Sequence, residues 1–287
     1  MILVTGATGG LGHQTIDFLL TTTPAAEIAA LVRDIDKATD LIEQGVDVRQ
    51  ADYVDYPALV EAFRGVDKLL LVSAVAFTDR LQQHRNVIDA AKEVGVKHLF
   101  YTSIQRSSDF VMPEVTESDL ATEAYLKASG LTYTILKNGY YFEGLGYLIG
   151  SEVPATEIRF SAGDGKIAFV KRTELAAATA ALLTGEGHEN QEYTLSGSEA
   201  YSFNDIAREF SALAGRLITY KSIEEAPYVA QKVAAGFPDM VATFLAQWGA
   251  AAQAGMLAGT SDTVERLLGR QPTSLGEYLK ATYFSGN

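Results

Sequence analysis

The sequence predicts an open α/β fold, a parallel sheet wound on both faces by helices, and three observations carry that reading. An apolar run, Met1 to Val4, is followed at once by glycines at positions 6, 9 and 12 and then by a helical stretch, Leu11 to Leu20. The first half of the chain repeats this strand–helix unit with short polar joints, the pattern that builds parallel sheets with right-handed crossovers. A later run, KLLLVS from Lys68 to Ser73, is nearly all apolar, as a strand covered on both faces must be.

The elements follow in order. Ile28 to Val32 gives a second strand, and Asp36 to Gln44 a helix that stops at Gly45. Val46 to Gln50 is a third strand and Tyr56 to Arg64 a third helix, ended by Gly65. After the Lys68 strand comes a long helix, Asp79 to Val94, with Leu81, Val87, Ile88 and Ala91 at helical spacing. Lys97 to Ser103 is a fifth strand, Ile104 to Thr116 a polar loop, Glu117 to Ala128 a helix, and Leu131 to Leu136 a sixth strand. Beyond Lys137 the alternation loosens into short strands (Glu157 to Ser161, Ile167 to Lys171, Glu192 to Leu195, Leu217 to Lys221) among helices. Ser202 with Asp205, Ser222 with Glu225 and Ser274 with Glu277 have capping-box spacing. The expected organisation is a dinucleotide-binding unit over 1–137 and a smaller, mostly helical substrate-side lobe over 138–287, packed as one compact body.

VTGATGGLG, Val4 to Gly12, supplies the chemistry. A strand, then glycines, then a helix start lets backbone approach a pyrophosphate, with unpaired helix N–H groups aimed at the anion. Gly6 permits the tight turn, Gly9 removes a side chain where phosphate comes close, and Gly12 lets the helix pack on the strand. This is a Rossmann-type fingerprint.

Composition bounds the class. A chain of 287 residues, 47% hydrophobic and 21% charged, fits a globular enzyme with a substantial core. No apolar run approaches the ~20 residues that span a bilayer. The start reads as strand and phosphate loop rather than as a signal peptide, so the cytoplasm is the expected compartment. With no cysteine, disulfides and thiolate chemistry are excluded. A formal charge of −13 argues against nucleic acid as a partner. It also makes the few cations near the glycine loop worth following.

The residue closing the second strand chooses between dinucleotides. A carboxylate there holds a free ribose 2′-hydroxyl, whereas an arginine favours a 2′-phosphate. Arg33 occupies that point, so NADP(H) is expected ahead of NAD(H). Asp52, after the third strand, suits either the adenine amino group or a turn cap. Ser73, Ala74 and Val75 follow the fourth strand, where small residues permit close backbone approach to the cofactor's ribose and nicotinamide.

These motifs carry a resemblance. TGATGGLG, VRQADY (Val48 to Tyr53), QHRNVIDAAKEVGVK (Gln83 to Lys97), YTS (Tyr101 to Ser103), SGLTYTILKNGYYFE (Ser129 to Glu143) and AGDGKIAFVKRTELA (Ala162 to Ala176) resemble the NmrA-like atypical short-chain dehydrogenase/reductases. The likeness is greatest to bacterial NADPH-dependent quinone reductases and triphenylmethane-dye reductases. It implies that Gly6, Ala7, Thr8, Gly9, Gly10 and Leu11, with Arg33 and Ser73 to Val75, line the cofactor. It implies the same of Lys137, Asn138, Gly139, Tyr140, Tyr141 and Phe142. It implies an oxidoreductase, with a dinucleotide-binding redox sensor as the alternative.

One expected feature is missing. Short-chain dehydrogenases carry Tyr and Lys four residues apart on the helix after the fifth strand, where lysine lowers the phenol pKa. Here Tyr125 is followed by Ser129, Tyr133 and Lys137 fall on a strand about 13 Å apart, and Tyr228 and Lys232 lie far along the chain. A reductase without that relay suits a quinone-like or planar conjugated acceptor, which takes hydride directly and disperses the charge. Tyr140, Tyr141 and Phe142, with Phe77, are the expected aromatic slot, and Ser103 a weak substrate contact. The four histidines (His13, His84, His98, His188) show no metal-ligand spacing. A homo-oligomer is compatible with the sequence.

Overall fold

The computed structural model describes residues 1–74, 79–112 and 115–284. Val75 and Phe77, expected at the cofactor and the aromatic slot, lie outside the described residues. The chain forms two compact units. The first is Met1–Ile104, Pro113–Asn138 and Arg172–Leu195; the second is Gln105–Met112, Gly139–Lys171 and Ser196–Asn287.

The first unit begins β1 (Ile2–Val4), α1 (Gly10–Leu20), β2 (Ile28–Val32), α2 (Thr39–Glu43), β3 (Asp47–Gln50), α3 (Tyr56–Ala62) and β4 (Lys68–Leu71). It continues through α4 (Arg80–Glu93), β5 (His98–Ile104), α5 (Thr116–Ala128) and β6 (Tyr133–Asn138). The chain then supplies α6 (Leu145–Ile149), β7 (Glu157–Phe160) and β8 (Lys166–Ile167) to the second unit. It returns to the first with α7 (Arg172–Thr184) and β9 (Gln191–Leu195). β10 (Tyr201–Ser202), α8 (Phe203–Ala214), β11 (Thr219–Ser222), α9 (Glu225–Ala234), α10 (Asp239–Gln253), α11 (Thr263–Leu268) and α12 (Leu275–Tyr283) complete the second unit.

Seven parallel strands form one sheet in the order β3-β2-β1-β4-β5-β6-β9. The order reverses between β1 and β4, and in open α/β sheets ligands bind beyond the strand ends at such a point. Side chains alternate across the sheet. Leu3, Leu31, Leu69, Leu71, Leu99, Tyr101 and Ile135 share one core with Leu59, Val87, Ile88 and Leu126 of α3, α4 and α5. Their even-numbered neighbours point the other way, toward the face where α1 packs against α7. There Lys68 Nζ donates to the carbonyls of Leu183 and Gly185 at the end of α7, at 2.7 and 3.1 Å.

The second unit has two small sheets, β8 antiparallel to β10 and β7 parallel to β11. Its core is aromatic: Phe160 packs on Phe203 and Tyr228, and Phe142 on Phe169 and Tyr278. The unit therefore carries its own buried cluster.

Three expectations are corrected. The chain passes from the first unit to the second after Asn138, one residue from the expected boundary, but α7 and β9 return to the sheet and residues 105–112 belong to the second unit. The Glu192 segment, placed by its sequence position in the helical lobe, is the sheet's seventh strand. Its exposed edge position gives QEYTL none of the apolar continuity that marks the inner strands. Capping boxes form at Ser202–Asp205 and Ser274–Glu277, but Ser222 ends β11 and Glu224 is the N-cap of α9. No helix among the described residues is long and apolar enough to cross a membrane.

Candidate dinucleotide site

The glycine loop joins β1 to α1, and each glycine answers a separate steric demand. Gly6 has φ +59°, the left-handed region that favours glycine. A Cβ on Gly12 would stand 2.5 Å from the Gly6 carbonyl oxygen, so only glycine lets the helix sit this close to the loop. A Cβ on Gly9 would meet the same oxygen at 3.2 Å. The loop is braced against β2 and within itself, Ala7 N–H donating to Leu31 O and Gly9 N–H to Gly6 O. The first-turn amides of Gly10, Leu11 and Gly12 donate to no protein acceptor among the described residues. The first turn of α1 holds no acidic side chain and Gly9 offers no side-chain cap. The positive end of the helix dipole is thus open to an anion.

Beside this loop, the chain leaving β4 is fixed one amide at a time. Val72 N–H donates to Thr5 Oγ1 at 2.9 Å, Ser73 N–H to Thr102 Oγ1 at 2.8 Å, and Ala74 N–H to His84 Nε2 at 2.9 Å. Each acceptor comes from a different place: the end of β1, β5 and α4. Backbone beyond a sheet ladder needs partners, and here side chains supply them. Tyr53 adds a brace, its hydroxyl 2.8 Å from Val72 O and against Thr5 Oγ1. Neither Tyr53, within VRQADY, nor His84 carries a sign of this role in the sequence. Only tertiary contact reveals them.

Behind His84 lies a buried polar group. His84 Nδ1 is 2.9 Å from Thr122 Oγ1, the Tyr101 hydroxyl donates to Asp119 Oδ1 at 2.7 Å, and Arg80 pairs with the same oxygen at 2.8 Å. Because Nε2 accepts from Ala74, the ring carries its proton on Nδ1. Burial, with the Arg80 charge adding to it, pulls the His84 pKa down to about 3. The imidazole is neutral at neutral pH.

Arg33 follows β2 and is exposed. Its carbonyl accepts from Gln50 Nε2 at 2.9 Å. The neighbouring Asp34 accepts from Asp36 N–H and pairs with Lys37 at 3.5 Å. Arg33 itself makes no ion pair among the described residues. Its guanidinium is therefore available to a phosphate. Asp52 Oδ1 accepts from Val54 N–H at 3.2 Å, which is the turn-capping alternative to adenine recognition.

Ser103 and Lys137 are opposite each other across β5 and β6 and so share a sheet face. The Ser103 hydroxyl donates to Glu123 Oε1 of α5, and both residues are buried. Lys137 Nζ pairs with Glu192 Oε2 of β9 at 2.6 Å, and Lys127 of α5 pairs with the other oxygen. Lys137, expected at the cofactor, is thus tied to the seventh strand. Asn138, next in β6, is buried with an Oδ1 that accepts no hydrogen bond among the described residues.

Gly139 to Phe142 belong to the second unit. A Cβ on Gly139 would lie 3.1 Å from Ala168 O, which explains the glycine. Tyr140 sets its edge against Trp248 and Phe169, with ring centres at 4.6 and 5.8 Å. Tyr141 forms a single bridge with Val170. Phe142, of the expected aromatic slot, packs inward. It is fully buried, stacked between Phe169 at 5.1 Å and Tyr278 at 4.6 Å, and is a core ring. An aromatic run satisfies core packing and ligand stacking alike, so the sequence did not separate them.

Two of the tyrosines weighed for the relay have structural partners for their hydroxyls. Tyr125 OH donates to Asp89 at 2.8 Å. Tyr228 OH donates to Leu148 O at 3.0 Å, and Lys232 Nζ to Tyr147 O at 2.6 Å. Together they cap the last carbonyls of α6. The other three histidines are also engaged: His13 with Asp40 and Asp17, His98 with Thr134, and His188 with Tyr193. No metal-ligating cluster occurs among the described residues.

Known proteins are similar to this chain along nearly its whole length. Quinone oxidoreductase 2 of Escherichia coli (strain K12) is 41% identical over 279 residues, 96% of each chain. The crystal structure of an NADPH-dependent quinone oxidoreductase from Escherichia coli, complexed with NADPH, matches with a TM-score of 0.91 and 40% identity. That match covers 98% of this chain and 99% of the other. The triphenylmethane reductase of Citrobacter sp. complexed with NADP(H) matches with a TM-score of 0.92 and 36% identity, over 98% of this chain and all of the other. The NmrA-like family pattern spans residues 1–279, and the chain belongs to the NmrA-like family.

Proposed function

We propose that the chain is an NADPH-dependent oxidoreductase that passes hydride directly to a quinone-like or planar conjugated acceptor, without a Tyr-x-x-x-Lys relay. The likeness along 98% of the chain to an NADPH-bound quinone oxidoreductase carries this reading. It joins a glycine loop whose first-turn amides meet no protein acceptor among the described residues. These residues fit the nucleotide. Gly10, Leu11 and Gly12 amides hold the diphosphate at the start of α1, and Arg33 holds the 2′-phosphate. Ser73 and Ala74 present a backbone that Thr102 and His84 keep in place. Asn138 offers a buried carboxamide oxygen as an acceptor. When bound, NADPH supplies the hydride.

The relay-free part of the proposal rests on the tyrosines. Tyr125 serves Asp89, Tyr228 serves a helix end, and the Tyr133/Lys137 pair lies on a strand with Lys137 committed to Glu192. An acceptor that stabilises its own charge after hydride arrives needs no phenol poised to donate. Conjugated quinones and cationic dyes are of this kind. The test is the fall in NADPH absorbance at about 340 nm with a panel of quinones and triphenylmethane dyes. Turnover with these and none with simple ketones is expected. Tight NADPH binding with no turnover on any acceptor would overturn the reading.

A further inference from the structure

We propose that Thr122 of α5 is a positioning residue for the cofactor: through the His84 imidazole it fixes the Ala74 amide, and with it the backbone that meets the nicotinamide half of NADPH. The inference rests on the NADPH reading above and adds to it a residue that acts through another. Three hydrogen bonds join in a line. Ala74 N–H donates to His84 Nε2 at 2.9 Å, His84 Nδ1 lies 2.9 Å from Thr122 Oγ1, and the Thr122 hydroxyl donates to Ser118 O at 2.7 Å. The line begins at a backbone amide, which only donates, and ends at a backbone carbonyl, which only accepts. Every proton between them therefore has one place. The Thr122 hydroxyl proton is committed to Ser118, so its oxygen accepts from Nδ1–H, and Nε2 is left to accept from Ala74.

The Tyr101 hydroxyl is a poor substitute for Thr122. It stands 3.5 Å from Nδ1, at the limit of a hydrogen bond, and donates to Asp119 Oδ1, which also pairs with Arg80. His84 and Thr122 are both fully buried, so an imidazole N–H deprived of its acceptor there goes without a good partner. To recover one the ring must turn or move its proton to Nε2, and either change releases the Ala74 amide. Ala74 stands just past β4, beside β1 where the strand order reverses, so its backbone borders the crevice in which open α/β sheets bind nucleotides. Five residues of α5 are buried, and four of them, Thr116, Asp119, Thr122 and Glu123, are polar. A helix kept only for packing buries an apolar stripe. This one directs hydrogen bonds toward the sheet's ligand edge, Glu123 holding Ser103 of β5 as Thr122 holds His84.

Two measurements on the full-length protein test this: nitrogen-15 resonances of the imidazoles, assigned by the set lost in His84→Gln, and calorimetric NADPH dissociation constants. In the wild type, His84 Nε2 is expected to be the unprotonated nitrogen. Thr122→Val keeps the shape of the side chain without its hydroxyl. It is expected to shift the Nε2 resonance and to weaken NADPH binding about tenfold, the size of one unmet buried donor. Thr122→Ser restores the hydroxyl without the methyl, so it is expected to lower the melting midpoint. It should nevertheless keep the Nε2 resonance and bind NADPH within about twofold of wild type, since the hydrogen bond is retained. Affinity that followed the melting midpoint in both variants would overturn the proposal, as would weaker binding in Thr122→Val with the His84 resonances unmoved, or NADPH bound by that variant as tightly as by wild type. A wild-type His84 protonated on Nε2 would overturn it without any variant, whether or not Thr122→Val folds. These outcomes leave the NADPH reading intact; wild-type protein that bound no NADPH would overturn that reading and the role of Thr122 with it.

Discussion

Ala74 donates its amide hydrogen to Nε2 of His84 at 2.9 Å, and that bond requires an unprotonated nitrogen on a fully buried ring. A proton on Nε2 would turn the acceptor into a second donor facing a donor. The loop leaving β4 is consequently tied to the charge state of one histidine.

The pH dependence follows from that burial. Desolvation, with help from Arg80, lowers the folded-state pKa of His84 to about 3, below the unfolded value of 6.5. Below pH 6.5 the unfolded chain binds a proton that the folded chain refuses, so stability falls as pH falls. The loss runs from about pH 6.5 down to the folded value, at about 1.4 kcal/mol per pH unit. Replacing His84→Gln, which retains a side-chain acceptor for Ala74, is expected to make unfolding free energy less steep between pH 6 and 4. Urea titrations across that range check it; an identical slope in both proteins would refute the linkage.

Arg33 stands exposed at the end of β2, with Asp34 already engaged by Lys37 and the Asp36 amide. Arg33→Ala is expected to raise the NADPH dissociation constant about thirtyfold, since one charge-assisted bond to phosphate contributes about 2 kcal/mol. NADH affinity is expected to stay within about twofold. The ratio of the two constants is the measurement. An unchanged ratio would remove Arg33 from the 2′-phosphate site.

What the sequence made legible divides along a physical line. Inner strands announce themselves because both faces are buried, as in Leu69 to Leu71, and the glycine loop because Gly6 and Gly12 meet backbone demands no other residue meets. Ser202 and Ser274 were readable as caps because a capping box is local. His84 and Tyr53 are not readable, since their partners Ala74 and Thr5 come from other elements. The same holds for β9, which joins the sheet only after the chain has visited the second unit. The burial of the Phe142 ring is not legible either, because core and ligand slots use the same residue types.

Gly12 offers a direct test of the loop's packing. Its missing Cβ would lie 2.5 Å from the oxygen and 2.9 Å from the carbon of the Gly6 carbonyl, both backbone atoms that have little room to yield. Gly12→Ala is expected to cost about 1–3 kcal/mol through overpacking, and to push α1 away from the loop it closes. The melting midpoint should fall by several degrees and NADPH affinity with it. An alanine variant with both values unchanged would show that the helix can shift without consequence.

Tyr228 and Lys232 have the spacing of a dehydrogenase relay, yet their polar atoms are spent on the Leu148 and Tyr147 carbonyls at the end of α6. Burial pushes the Tyr228 hydroxyl well above the usual phenol range and lowers Lys232, the opposite of tuning a tyrosine to give up its proton. Tyr228→Phe is expected to lower stability by about 1 kcal/mol, because a buried carbonyl loses its donor. Turnover with a quinone should change by less than about twofold, whereas a general acid contributes about 10²–10⁴-fold. The comparison of melting midpoint with kcat separates the two roles, since a cap moves the first and a proton donor the second. A kcat that collapsed in Tyr228→Phe at an unchanged melting midpoint would return this pair to the chemistry.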